Sequence, residues 1–116
     1  MKFTFLGTGT SQGVPVIACE CAVCTSTDPK DKRLRTSLLV ETALNTIVID
    51  AGPDFRQQML GARVKKLDAI LLTHEHKDHI AGMDDLRAFN YKSRSAIDIY
   101  AEERVQAAVR KEYAYV

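Results

Sequence analysis

The chain has 116 residues, of which 46% are hydrophobic and 27% charged, and its formal net charge is +1. This length and composition predict one globular domain and contain no excess of charge that would indicate nucleic-acid binding. No run of residues approaches the ~18 consecutive apolar positions of a membrane span, and the first residues lack the pattern of a signal peptide. We therefore expect a cytoplasmic protein without a membrane partner.

The first predicted element is a strand over residues 2–6, KFTFL, which alternates and is rich in aromatic residues. The glycines at positions 7, 9 and 13 then permit a tight, irregular loop. This loop leads into three cysteines with the spacing C-x-C-x-x-C, at Cys19, Cys21 and Cys24.

The cysteine cluster predicts a metal site, because one loop with this spacing can wrap a tetrahedral ion through several thiolates. Disulfide pairing fits less well, since three is an odd number and the rest of the chain is typical of an intracellular protein. Thiols without a ligand role are the alternative.

A basic run, KDKRLR, follows at residues 30–35. It could contact a phosphate-bearing substrate, but four basic residues with one acid are more typical of a solvated loop. Two further strands are predicted next, TSLLVE and NTIVID, joined through TALN as a hairpin. Asp50 ends the second of these strands.

The second half of the chain alternates helices with strands. Pro53 suits the first turn of a helix that buries Phe55 and Met59 and is capped at Gly61. A strand over residues 67–74, a helix over 77–89 that Gly82 weakens, a strand over 96–101 and a final helix complete the series. Strands followed by this alternation predict a mixed sheet covered by helices.

All three histidines of the chain lie within THEHKDHI, directly after an apolar run that predicts a buried strand. His74 and His76 are two residues apart, so an extended backbone would point both side chains the same way. Asp78 and His79 follow as the chain turns into a helix. Imidazole and carboxylate donors crowded at one strand end predict a site for a divalent cation such as zinc.

HEHKDH matches the H-x-H-x-D-H signature of the metallo-β-lactamase superfamily, and FTFLGTGT and IVIDAG resemble its other motifs. The likeness runs from Lys2 to about Ala101. GTGTSQGVPVIACECAVC is similar to the phosphodiesterase-like branch, in which a cysteine cluster follows GTG-x-x-QGVP. The resemblance implies an α+β fold of the αββα type.

The chain is considerably shorter than members of the resembled family, which contain two related halves, and its last predicted helix reaches Val116 without a glycine cap. We therefore expect residues 1–116 to form the amino-terminal half of such a domain. This half would contribute one mixed sheet with helices on its outer face. Its inner face would be open, and we expect a second copy of the chain to cover it in a homodimer.

The resemblance also implies the roles of the site residues. His74 and His76 would bind one metal ion, and Asp78 and His79 a second, with zinc expected and manganese as an alternative. A hydroxide held between the ions would attack the substrate, and Asp78 would orient it as the catalytic residue. The other half would supply the remaining ligands, so this chain alone would be inactive.

The family also suggests supporting sites. Asp50 matches an aspartate that orients the metal-binding loop, although a turn acid at a strand end is an equal interpretation. The cysteine cluster is similar to a structural zinc site completed by a histidine of the other half. Without that histidine, the fourth ligand would be water, an acid such as Glu20 or Asp28, or a residue of a partner chain.

The motifs together predict a metal-dependent hydrolase, most directly a phosphodiesterase acting on a small phosphate ester. Another hydrolase of the superfamily, acting on a thioester or an RNA 3′ end, is the nearest alternative. A zinc-binding interaction module built on the cysteines and a folded chain without activity are the remaining hypotheses.

Overall fold

The structure is a computed structural model and describes residues 1–115. Within that range the chain forms five strands, four helices and two 3₁₀ turns, Pro29–Asp31 and Met83–Leu86. The strands are β1 (Lys2–Gly7), β2 (Ser37–Glu41), β3 (Thr46–Ile49), β4 (Ala69–Leu71) and β5 (Asp98–Tyr100). The helices are α1 (Phe55–Gly61), α2 (Lys77–Ile80), α3 (Arg87–Ser93) and α4 (Glu103–Glu112).

All five strands form one mixed sheet in the order β1-β2-β3-β4-β5. The first three strands are antiparallel neighbours, whereas β4 pairs in parallel with both β3 and β5. Parallel neighbours need a crossover connection, and α1 lies in the one between β3 and β4. The predicted mixed sheet with helices is confirmed.

One face of the sheet is covered by helices. Leu39, Val48 and Ile70 lie side by side on β2, β3 and β4, and each is at most 2% exposed. They form one apolar cluster with Phe55 of α1 and Val105 of α4. Because apolar burial contributes ~25 cal/mol per Å², this cluster is the main source of stability.

The opposite face of the sheet is open. Phe5, Leu38, Ile49, Leu71 and Tyr100 form one row across the five strands. Phe5 is 74% exposed and Tyr100 58% exposed. A soluble monomer rarely exposes an apolar patch larger than a few hundred Å², so this row is a candidate packing surface.

The single helix predicted over residues 77–89 is wrong, because the structure divides it into α2, a 3₁₀ turn and α3. Gly82 lies at the first break. Its amide donates to the carbonyl oxygen of Ala51 at 2.8 Å, so a contact with a distant segment replaces the next bond of the helix.

Other boundaries differ less. β4 covers only the centre of the strand predicted over residues 67–74. Gly61 is the last residue of α1, and Arg63 rather than a glycine takes the left-handed conformation, with φ 56°. The predicted end of the last helix at Val116 lies outside the described residues. None of the helices in residues 1–115 is long and apolar enough to cross a membrane.

Residues 73–80, THEHKDHI, form the histidine segment. Tyr113 connects the end of α4 to this segment, because its hydroxyl donates to the carbonyl oxygen of Ile80 at 2.7 Å. Burial, followed by the nearby charge of Asp84, raises the pKa of Tyr113 to about 12. The phenol therefore ionises more easily in the unfolded chain, where its pKa is about 10. The stability that it contributes is complete below about pH 10 and is lost as the pH rises toward 12.

We expect Tyr113→Phe to remove this alkaline loss. The two-unit shift corresponds to ~2.7 kcal/mol, which we reduce to ~1 kcal/mol because the group is partly exposed and screened by solvent. Urea unfolding at several pH values between about 8 and 12 measures the difference between parent and variant. Tyr91→Phe, at an exposed position, is the control, and an equal alkaline loss in the parent and Tyr113→Phe would contradict the assignment.

Candidate metal centre

The histidine segment and Asp50 meet at one edge of the sheet. Asp50 follows β3, and the histidine segment follows β4. β3 and β4 are parallel neighbours, so their carboxyl ends lie side by side. The Asp50 amide donates to the carbonyl oxygen of Leu71 at 2.9 Å, which continues the pairing to the site.

The predicted ligands converge at this edge. One donor atom from each of His74, His76 and Asp78 lies within 4.8 Å of the others. The ring centroid of His74 is 4.7 Å from that of His76 and 3.9 Å from that of His79. His79 Nε2 is also 3.1 Å from Asp78 Oδ2. The structure thus brings all four residues together, while their role as ligands stays a prediction.

Asp50 contacts the histidine segment through its carboxylate and is only 3% exposed. Its Oδ1 accepts the Thr73 amide at 2.8 Å, and its Oδ2 accepts the Thr73 hydroxyl at 2.7 Å. The same Oδ2 is 2.7 Å from His79 Nδ1. The carboxylate of Asp50 therefore fixes Thr73 and His79, at the two ends of the histidine segment. These contacts fit the supporting role that the family resemblance implies for Asp50.

These hydrogen bonds decide which ring nitrogens face the cluster. The Thr73 hydroxyl donates its proton to Asp50, so it accepts from His74 Nδ1, which lies 3.0 Å away. His79 Nδ1 donates to Asp50 in the same manner. Since a neutral imidazole carries one proton, both rings keep an Nε2 lone pair for a ligand. Thr73, which the sequence analysis did not single out, thus sets the tautomer of His74.

The donor set fits a divalent cation. With its proton on Nδ1, His79 presents an Nε2 lone pair to the Asp78 carboxylate at 3.1 Å. Two acceptors repel each other at this distance unless a proton or a metal ion lies with them. Neutral imidazoles and a carboxylate are ligands that Zn²⁺ accepts, so the residues present fit such an ion.

Two glycines that the sequence analysis did not connect with the site allow the segment to pack. A Cβ on Gly52 would lie 2.0 Å from the carbonyl oxygen of Asp78, and one on Gly82 would lie 2.1 Å from the carbonyl oxygen of Gly52. The amide of Ala51 also donates to the carbonyl oxygen of His79 at 2.8 Å. The backbones touch directly, so a Cβ at either glycine would push these segments, and with them the predicted ligands, apart.

The basic run is tied to the glycine-rich loop. Arg35 pairs with Asp54 at 2.9 Å and donates to the carbonyl oxygen of Ser11 at 2.7 Å. Arg33 donates to the Thr8 hydroxyl at 3.1 Å. These arginines therefore hold the loop against the start of α1.

The cysteine cluster is assembled as the spacing predicts. The three sulfur atoms lie within 4.8 Å of one another, and all three cysteines are free thiols. The amide of Cys24 donates to Cys21 Sγ at 3.5 Å, and this contact, followed by hydrogen bonds from the side chains of Cys19 and Cys24, lowers the pKa of Cys21 to about 7. Asp28 is occupied as the cap of a 3₁₀ turn, where it accepts the Lys30 amide at 2.9 Å.

The mixed sheet and the His/Asp cluster at its edge define the class of metallo-β-lactamase-fold proteins. Residues 45–116 match the Beta-lactamase superfamily domain, and the chain therefore belongs to that superfamily. The fold and the superfamily predicted from the motifs are confirmed.

Individual relatives differ in what they are described to do. The chain is 51% identical to an octanoyltransferase of Porphyromonas gingivalis over 117 residues, which cover 100% of this chain and 23% of that protein. A crystal structure described as a new diphosphatase from the PhnP family superimposes with a TM-score of 0.91 and 44% identity, covering 98% of this chain and 46% of that one. Zn²⁺-bound PqqB from Methylobacterium extorquens superimposes with a TM-score of 0.80 and 26% identity, covering 96% and 40%.

The chain spans less than half the length of each of these three relatives. A zinc ion is bound in one of them. More than half of each relative lies beyond the matched part.

Proposed function

We propose that this chain carries the metal-binding half of a hydrolase that cleaves a phosphodiester or diphosphate bond. The observation that carries the proposal is the His/Asp cluster oriented by buried Asp50. The similarity to a diphosphatase at 44% identity supports a phosphate-containing substrate. The coverage of 46% of that structure supports the view that residues 1–116 correspond to about half of such a domain, which we take to be its amino-terminal half.

His74, His76, Asp78 and His79 would hold one or two ions, with Zn²⁺ favoured by the donor set and Mn²⁺ as the alternative. A divalent ion there would lower the pKa of a water molecule and neutralise charge on a phosphoryl oxygen. The buried Asp50 keeps His79, and through Thr73 also His74, in the tautomer that binds metal. Asp78, whose side chain is 22% exposed, can accept a hydrogen bond from the attacking water and orient it.

A chimera tests this proposal. Residues 1–115 would be joined to the complementary part of the 44% identical diphosphatase. We expect the chimera to hydrolyse bis(p-nitrophenyl) phosphate or a diphosphate ester, and Asp78→Asn to lower kcat by at least ~100-fold, as for the loss of a positioned acid–base group.

We expect the 116-residue chain alone to be inactive or very slow. Fast turnover by that chain would contradict the view that its site is incomplete.

The octanoyltransferase at 51% identity favours a second candidate, hydrolysis of a thioester or transfer of its acyl group to another acceptor, with the thiol as the leaving group. The same chimera separates the two candidates. A folded, metal-loaded chimera that is inactive on phosphate esters and active on an octanoyl thioester would replace the phosphate proposal by the acyl one.

We also propose that Cys19, Cys21 and Cys24 hold a structural Zn²⁺ ion. Three sulfur atoms within 4.8 Å of one another suit three of the four tetrahedral positions. Free thiols this close would oxidise outside a reducing compartment, so we expect the protein to act in the cytoplasm. An interaction module built on these cysteines alone would keep its function after His74→Ala.

When this chain is alone, we propose that a second copy covers the open sheet face. We expect sedimentation at low micromolar concentration to show a dimer, and Phe5→Asp, in the exposed row, to give a monomer. Tyr91→Asp is the matched control, because Tyr91 is an equally exposed aromatic residue on α3. A well-folded parent chain that is strictly monomeric would contradict the proposal.

A further inference from the structure

Glu75 and Lys77, which alternate with the proposed ligands along the chain, both pair with side chains of α4. Glu75 lies between His74 and His76 and pairs with Arg104 in the first turn of α4. Lys77 lies between His76 and Asp78 and pairs with Glu112 in the last turn of α4. We propose that α4 is a strap that positions His76, with Glu75–Arg104 and Lys77–Glu112 as its two attachments. The inference rests on the proposed metal site.

His76 is the ligand that needs such a strap. Asp50 supports His79 directly and His74 through Thr73. Among residues 1–115 the structure records no hydrogen bond from the side chain of His76, and no protein acceptor for the backbone amides of residues 74–76. The carbonyl oxygen of His76 accepts the His79 amide at 2.9 Å, and the ion pairs on either side of His76 are the contacts that tie this part of the segment to another element.

The helix is rigid enough for this role. Val105 and Val109 of α4 are buried in the core, and Tyr113 bonds to the carbonyl oxygen of Ile80 at 2.7 Å. Arg104 and Glu112 are eight positions apart, or about 12 Å along a helix. The histidine segment is thus held at two widely spaced points on an anchored element.

Helix stability does not explain the two charges. The helix dipole favours negative side chains at the amino end and positive ones at the carboxyl end. Arg104 and Glu112 have the opposite arrangement. Their placement is accounted for by the partners that they meet, Glu75 and Lys77.

The expected effect is on geometry rather than on stability. Exposed ion pairs contribute little to folding, and the side chains of Arg104 and Lys77 are 66% and 63% exposed. Loss of a group that orients a ligand typically weakens metal binding 10- to 100-fold. Metal affinity and ligand geometry are therefore the quantities to measure.

Removing the side-chain charges of Arg104 and Lys77 distinguishes a positioning role from a purely electrostatic effect on metal binding. Arg104→Gln and Lys77→Gln each remove a positive charge near the cluster, so electrostatics alone would tighten the binding of a cation. The strap predicts the reverse, binding of Zn²⁺ that is about tenfold weaker and a changed visible spectrum of the Co²⁺-substituted chain. Arg110→Gln, on the same helix, is the matched control and should leave the spectrum unchanged.

Exchanging the charges tests the Glu75–Arg104 pair. Glu75→Lys should weaken Zn²⁺ binding and alter the Co²⁺ spectrum, and adding Arg104→Glu should restore both. Variants that bind Zn²⁺ as tightly as the parent, or a double exchange without rescue, would overturn the inference. If the parent bound no metal, the proposed function would fail instead. Hydrogen exchange at the His79 amide of the metal-free chain, which donates to the carbonyl oxygen of His76 at 2.9 Å, would then decide on the strap, since faster exchange in Arg104→Gln supports it and unchanged exchange overturns it.

Discussion

Replacing His74 and His76 together with alanine should weaken Zn²⁺ binding at the His/Asp cluster by at least ~100-fold. Two of the four imidazole and carboxylate donors disappear, and a site open on one side cannot compensate for them. Their donor atoms lie within 4.8 Å of one another and of Asp78, and the double replacement leaves Asp78 and His79 as the remaining predicted ligands. Competition with a chromophoric chelator measures the affinity.

The cysteine cluster supplies the control for this experiment. A variant with serine at Cys19, Cys21 and Cys24 should lose any Zn²⁺ held there and keep the affinity of the histidine cluster. Elemental analysis of the two variants then assigns each ion to its site. A double histidine variant that binds as tightly as the parent at this cluster would show that the assignment is wrong.

The proximity of the four predicted ligands could be predicted from the sequence because it depends on local geometry. His74, His76, Asp78 and His79 lie within six positions at the end of one strand, so a strand end and the first turn of a helix are sufficient to bring them together. The role of Asp50 is predicted only through the family resemblance, because its place at a strand end also fits a turn acid. The structure supplies the physical reason, since β3 and β4 are parallel neighbours whose carboxyl ends meet at one edge.

The supporting contacts could not be predicted, because they join segments that are far apart in the chain. Thr73 was missed since its role depends on Asp50, 23 positions away. The attachments of the histidine segment to α4 span 29 and 35 positions. No local pattern marks which charged residue of an exposed helix will meet which loop.

The break in the helix predicted over residues 77–89 has the same cause. Apolar spacing alone favours a continuous helix, although the low helix propensity of glycine at position 82 weakens that prediction. The structure shows a different reason, the bond from Gly82 to Ala51 and the close approach to Gly52. A tertiary contact thus overrides the local periodicity at the point where the ligands are placed.

The close approach at Gly52 leads to the second large effect that we expect, severe destabilisation by Gly52→Ala. The new Cβ would lie 2.0 Å from the carbonyl oxygen of Asp78 and 2.9 Å from its carbonyl carbon. Both are backbone atoms, so no side chain can turn aside to relieve the contact. Overpacking of this kind costs about 3 kcal/mol or more, a large part of the 5–15 kcal/mol that stabilises a typical domain.

Thermal unfolding and Zn²⁺ titration measure the consequences. For a domain of this size ~3 kcal/mol corresponds to a Tm lower by roughly 10 °C or more, and the displaced Asp78 should also weaken Zn²⁺ binding. Gly61→Ala is the matched control, because no atom lies within 4 Å of a Cβ built there and alanine is favoured in a helix. Its Tm should be equal to that of the parent or slightly higher. If Gly52→Ala behaved like Gly61→Ala, the backbones of the two segments would not be in contact, and the support that we assign to this edge of the site would be wrong.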